Sequence, residues 1–163
     1  EHFTAKPDII SFGKKAQVCG VLANKEKFDE IPNNVFKESS RINSTFGGNF
    51  IDILRFQLIM EVIEKENLVE NARIVGEYLV EGLQILAQKY SEKLSNPRGR
   101  GLMAAIDLPN GDQRDKMREL LYDEGVIILS CGDQSIRFRP HLNVSKEEIQ
   151  MALDKIEICI EKL

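Results

Sequence analysis

The chain has 163 residues, 42% hydrophobic and 29% charged, which is enough for one domain with a packed core or a small domain plus part of another. The formal net charge of -4 argues against a nucleic-acid partner, which calls for a basic face. No run approaches the roughly 18 apolar residues of a membrane span, and the start, EHFTAKPD, lacks the apolar segment of a secretion signal. Three scattered cysteines, Cys19, Cys131 and Cys159, make neither a disulfide framework nor a zinc spacing and predict a reducing cytosol. In that setting the sequons at Asn43 and Asn143 read as chance. With no initiator Met, the chain reads as the back part of something longer.

In chain order, residues 8–12 (DIISF) and 20–24 (GVLAN) predict two short buried strands around the cationic loop FGKKAQVCG. Residues 24–48 show no sustained periodicity and end in the turn chemistry NSTFGGN. Asn49 caps a predicted helix to about Asn67, with Ile51, Leu54, Leu58 and Val62 as its apolar stripe. A second helix is predicted over about 68–91, with the stripe Leu68, Ala72, Val75, Leu79, Leu83 and Leu86. Gly76 and Gly82 weaken that helix by about 1 kcal/mol each, so close packing is the expected reason for them.

Asn96–Gly101 (NPRGRG) predicts a break, followed by a strand over 102–108, a turn at Pro109–Gly111 and a helix over 112–124 that ends at Gly125. Strands are predicted over 126–129 and 135–139. The chain closes with a helix from Ser145, where Ser145 and Glu148 make a capping box and Ile149, Leu153, Ile156 and Ile160 an apolar face. From residue 64 onward this order describes a compact α/β layer domain, a small sheet with helices packed on it. Residues 1–63 offer too little core to close a domain alone.

Four segments carry chemistry-bearing residues. Lys14 follows an apolar strand and Gly13, which leaves room for a ligand to approach, and Lys15 supplies a neighbouring cation that makes an amine easier to deprotonate. Taken alone, the dipeptide reads first as two solvated loop lysines. In Asn43-Ser44-Thr45-Phe46-Gly47-Gly48-Asn49, hydroxyls and glycine amides beside a helix start make either a phosphate site or a simple capped entry. The Arg98–Gly101 segment (RGRG) is similar to an RGG nucleic-acid motif, but a single copy in an acidic chain gives that little support, and the segment reads as structural. In Ser135-Ile136-Arg137-Phe138-Arg139-Pro140, strand alternation puts Arg137 and Arg139 on one face, which suits either a carboxylate or surface salt bridging. His2 and His141 have no metal partners in the sequence, and no metal site is expected.

Asp8-Ile9-Ile10-Ser11-Phe12-Gly13-Lys14, NSTFGGN, RGRG and SIRFRP together resemble, in order and roughly in spacing, the class III pyridoxal-phosphate-dependent aminotransferases. Within that family FGKKAQVCG is most similar to the lysine 6-aminotransferases. The small-residue pair that follows the family's lysine is matched loosely here, by Cys19-Gly20 or Val18-Cys19, and Phe46 stands where those enzymes often have Trp. The resemblance implies a fold-type-I α/β architecture, with residues 1–63 ending the large cofactor domain and 64–163 forming the small C-terminal domain.

The same resemblance makes Lys14, rather than Lys15, the residue that holds pyridoxal 5'-phosphate as a Schiff base. It assigns Thr45 and Ser44 to the cofactor, Thr45 on the phosphate of the neighbouring subunit, and Arg137 and Asn43 to the substrate, with Arg139 supporting. It implies a cytoplasmic homodimer with its active site at the subunit interface. Its implied reaction moves the ε-amino group of L-lysine to 2-oxoglutarate. The phosphate-cradling turn, the ring-stacking aromatic and the acid on the pyridine nitrogen lie upstream in the family, so this piece alone is expected to bind cofactor weakly and not turn over. The alternatives are a 4-aminobutyrate or other ω-amino acid aminotransferase, and a non-catalytic α/β interaction domain with Arg137 and Arg139 as a docking patch.

Overall fold

A computed structural model describes residues 6–42 and 44–163. The candidate Asn43, His2 and the Lys15 side chain lie outside the described residues. The chain divides between Lys65 and Glu66 into two compact units.

The first unit opens with an antiparallel hairpin of β1 (Ile9–Phe12) and β2 (Gly20–Ala23), in which Phe12 pairs with Gly20 and Ile9 with Ala23. A short helix α1 (Lys25–Asp29) follows, capped by Asn24, whose side chain accepts from the Lys27 amide. Five residues are too few to show the periodicity that would reveal such a helix in the sequence. α2 (Phe50–Lys65) begins at Asn49, whose Oδ1 accepts from the Ile51 amide at 2.9 Å. The hairpin is thus where it was expected, but its strands are not buried: Ile9, Ile10, Val21 and Leu22 are all exposed. The stripe Ile51, Leu54, Leu58 and Val62 of α2 is exposed as well, and α2 buries none of its residues. A two-stranded ribbon, one five-residue helix and one long helix have too little surface between them to cover these side chains.

The second unit is a four-stranded antiparallel sheet in the order β3-β4-β6-β5 with three helices packed on it. Its elements are α3 (Leu68–Lys89), β3 (Ser95–Arg100), β4 (Met103–Asp107), α4 (Gly111–Asp123), β5 (Leu129–Cys131), β6 (Ser135–Phe138) and α5 (Lys146–Glu161). Asn67, at φ 52°, turns the chain out of helix ahead of α3. The expected α3 stripe is core: Leu68, Val75, Leu79, Leu83 and Leu86 are buried and Ala72 packs against them. Both helix glycines sit at close approaches. A Cβ on Gly76 would overlap the backbone of Gly101, and one on Gly82 would overlap Leu153 of α5.

Alternation then divides the sheet. Ala104, Ile106, Ile136 and Phe138 are buried toward the helices together with Met117, Leu121, Ile149, Leu153, Ile156 and Ile160. The Ser145–Glu148 capping box is present in both directions, and the hydrogen bonds from Ser145 hold the Glu148 carboxyl below its ordinary range. No described helix is long and apolar enough to cross a membrane.

Two sequence expectations fail in this unit. Asn96–Gly101 is not simply a break, because Ser95–Arg100 forms an outer strand with a register shift between Ser95 and Arg98 that accommodates Pro97. The strand expected over 126–129 lies over 129–131 instead. The chain leaves α4 through Gly125, at φ 81°, and the Val126 amide still bonds the Leu121 carbonyl at 2.7 Å, so pairing starts only at Leu129.

Candidate active site

Lys14 stands at the tip of the β1–β2 hairpin. Gly13 continues β1 in extended backbone, and Lys14 then turns into the left-handed region at φ 57°, a conformation that costs a non-glycine residue roughly 1–2 kcal/mol. A 3-10 turn over Lys14–Ala16 closes with the Gln17 amide donating to the Lys14 carbonyl at 2.9 Å. Lys14 is exposed. At the base of the hairpin, the Asn24 amide donates to the Asp8 carbonyl at 2.8 Å and Lys27 pairs with the Asp8 carboxylate at 2.8 Å.

The tip has internal supports. A Cβ on Gly13 would stand 2.9 Å from Cys19 Sγ, so the space beside Gly13 that was expected to admit a ligand holds the Cys19 thiol. A Cβ on Gly20 would overlap the ring of Phe12, and that ring stacks on Phe56 of α2 with centroids 5.1 Å apart and planes 20° apart.

Ser44 and Thr45 lie in the turn that leads into α2. The Gly47 amide donates to the Ser44 carbonyl at 3.0 Å, Gly48 takes φ 75°, and Asn49 then starts the helix. Both hydroxyl residues are exposed, just ahead of the amide-bearing and electropositive end of a 16-residue helix.

Arg137 lies mid-strand in β6, paired with Ala105 of β4 and Leu129 of β5. Its Nε is buried and has no hydrogen-bond partner among the described residues, a state that costs about 1–3 kcal/mol unless an acceptor arrives. Arg139 follows the strand and is exposed. Two residues back on β6, Ser135 faces Asp107. Ser135 Oγ donates to Asp107 Oδ1 at 2.5 Å, Arg98 donates to the same oxygen at 2.7 Å, and Asn96 Nδ2 donates to Oδ2 at 2.9 Å. Burial pushes the Asp107 carboxyl up, but the hydrogen bonds from Ser135, Arg98 and Asn96 outweigh it and hold the group below its ordinary range. The RGRG segment is therefore structural through Arg98, as expected.

Lys14, Ser44 and Thr45 belong to the first unit and Arg137 to the second. Among the described residues no hydrogen bond joins Lys14 to Ser44 or Thr45. Sequence reading missed the acceptor of this network, Asp107, whose only signal is an acid at the end of an apolar strand. It also missed Phe56, which carries no local signal because its partner Phe12 is distant in the chain.

A family model for class-III aminotransferases matches residues 1–160. An L-lysine-epsilon aminotransferase of Mycobacterium tuberculosis is 48% identical over 160 residues, 98% of this chain and 35% of the relative. One from Streptomyces clavuligerus is 44% identical over 152 residues, 93% of this chain and 33% of the relative. The structure of lysine aminotransferase from M. tuberculosis in the internal aldimine form superposes with a TM-score of 0.92 at 44% identity, covering 98% of this chain and 36% of that one. The chain thus spans about a third of the length of the relatives it matches. Its mixed helix-and-sheet architecture is that of fold-type-I transferases. By sequence and by fold, the chain belongs to the class-III aminotransferase family.

Proposed function

We propose that this chain works within an enzyme that moves the ε-amino group of L-lysine to 2-oxoglutarate. The observation that carries this reading is the near-complete alignment of the chain with L-lysine-epsilon aminotransferases. In the reaction, the carbon–nitrogen bond at the lysine ε-carbon is replaced by an aldehyde that cyclises, and 2-oxoglutarate gains the nitrogen to become glutamate. The cofactor of this reading is pyridoxal 5'-phosphate. When bound, it supplies a carbonyl for the amine and an electron-withdrawing ring for the reacting carbon.

The donor set here suits that group: an exposed primary amine at a fixed turn, and exposed hydroxyls ahead of a helix start. Lys14 holds the cofactor covalently and, once released by the incoming amine, moves the proton at the substrate carbon. Ser44 and Thr45 hold the phosphate, Thr45 reaching that of a neighbouring subunit. Arg137 grips the carboxylate remote from the reacting amine, which gives its buried Nε an acceptor and leaves the long aliphatic arm to carry the amine forward. Asn43 contributes to the substrate side.

The same reading makes the working protein a cytoplasmic homodimer with its site at the subunit interface, in keeping with three unpaired cysteines. It assigns turnover to these 163 residues only together with the remaining two thirds of the enzyme. Steady-state rates of the intact protein with L-lysine and with 4-aminobutyrate, 2-oxoglutarate being the acceptor, test it. Lysine is expected to be the faster donor, and turnover of 4-aminobutyrate without lysine sinks the substrate assignment. Borohydride reduction followed by peptide mapping is expected to label Lys14. A label on Lys15 moves the attachment point, and no label in this chain favours a docking domain.

A further inference from the structure

The Lys14 turn is held by an aromatic contact that none of the chemistry above uses. We infer that Phe56 is a positioning residue for Lys14, acting through the ring of Phe12. The inference rests on Lys14 being the cofactor-bearing lysine.

Phe12 is the last residue of β1, two positions before Lys14. Its ring lies where a side chain on Gly20 would be, so the cross-strand pair Phe12–Gly20 works as a seat with one half left empty. The same ring stacks on Phe56, one turn and a half into α2. Both phenylalanines are half-buried, while Ile9, Ile10, Val21 and Leu22 of the hairpin are exposed. Among the described residues, this stack is therefore where the tip of the hairpin is tied to the long helix of its own unit.

Such a tie matters because of what comes next in the chain. Lys14 at φ 57° and Gln17 at φ 62° both occupy the left-handed region, which a lysine or glutamine keeps only where its surroundings over-determine it. Gly13 between Phe12 and Lys14 has its own space filled by Cys19 Sγ, so a displaced Phe12 cannot be absorbed by Gly13 without moving that thiol. A shift of the Phe12 ring is transmitted to the Lys14 backbone within two residues. Misplacement of a reacting group by about 1 Å can cost ~100-fold in rate.

The test uses the intact enzyme loaded with pyridoxal phosphate. Phe56→Ala is expected to lower kcat about 10-fold with the KM for lysine changed less than about 2-fold, and to shift the pH at which the visible absorbance of the bound cofactor titrates. Phe56→Tyr, which keeps the stacked ring, restores both readouts. Gly20→Ala, which drives the Phe12 ring off its seat from the opposite strand, reproduces the loss of kcat and the spectral shift. An unchanged kcat and titration in Phe56→Ala overturns the inference. So does a loss of activity that merely tracks lost protein or lost cofactor in all three variants, Phe56→Tyr included. Borohydride mapping of the wild type separates the two levels: a label elsewhere than Lys14 ends the underlying reading, whereas a label on Lys14 with unaltered Phe56→Ala kinetics ends only this inference.

Discussion

Gly76 of α3 and Gly101, the first of the two residues between β3 and β4, meet backbone to backbone. A Cβ built on Gly76 would lie 2.5 Å from the Gly101 Cα and closer still to its carbonyl. Gly76→Ala sets two effects against each other. The helix gains about 1 kcal/mol of propensity. The overlap costs about 1–3 kcal/mol where neighbours can yield, and here the obstacle is main chain at a turn that already takes φ 53°. The second effect wins, and the urea midpoint for unfolding of the second unit is expected to fall. A midpoint equal to or above that of the wild type contradicts the packing account.

Asp107 supplies a pH-dependent share of the same unit's stability. Its folded carboxyl is held below the ordinary value of 3.8, so the contribution is complete above that value and is lost as pH falls through the lower, folded one. Asp107→Asn is expected to cost about 1–3 kcal/mol at neutral pH, because it removes the charge from the oxygen shared by Arg98 and Ser135 and sets an amide NH2 against the Asn96 donor. It should also flatten the acid limb of the stability curve. Denaturant melts between neutrality and strongly acidic pH check this, and an acid limb of undiminished slope in the variant assigns the effect to other carboxylates.

Arg137 is expected to trade stability against activity. Its buried Nε has no hydrogen-bond partner among the described residues, so Arg137→Leu, which removes that donor and keeps an apolar stem, should leave the second unit as stable or up to about 3 kcal/mol more stable. The same change should lower kcat/KM for lysine by roughly 30- to 1000-fold, the worth of about 2–4 kcal/mol of charge-assisted hydrogen bonding. Arg137→Lys should recover only part of it, because an ammonium cannot reproduce the two-pronged grip. Calorimetry and steady-state kinetics on one preparation give both numbers. A variant that is destabilised but kinetically normal would make Arg137 a structural residue.

The helices of the second unit were legible because each declares itself locally. α3 carries an unbroken stripe, α5 a capping box, and α4 a glycine terminator. The outer strand β3 was not, because Asn-Pro-Arg-Gly-Arg-Gly has only turn chemistry, and its extended form comes from pairing with β4. In the first unit periodicity found the α2 stripe, but period alone does not say what covers it, and α2 buries nothing within this chain. The candidate site shows the same division. Strand-glycine-lysine placed Lys14, and alternation placed Arg137 mid-strand. The left-handed turn at Lys14 is carried by a lysine, for which sequence gives no sign of positive φ, and the Phe12–Phe56 stack and the Asp107 acceptor depend on residues far apart in the chain.

The irregularity of β3 has a meaning for self-association. A sheet rim normally offers a regular row of amides and carbonyls on which a strand of another molecule can add, and aggregation often starts there. Here one rim contains Asn96 at φ 50°, a proline with no amide hydrogen and a register break, and the other rim, β5, is only three residues long. Neither gives an incoming peptide a continuous ladder to extend. The residues that look like a flaw in the strand thus act as a guard against fibre-like stacking.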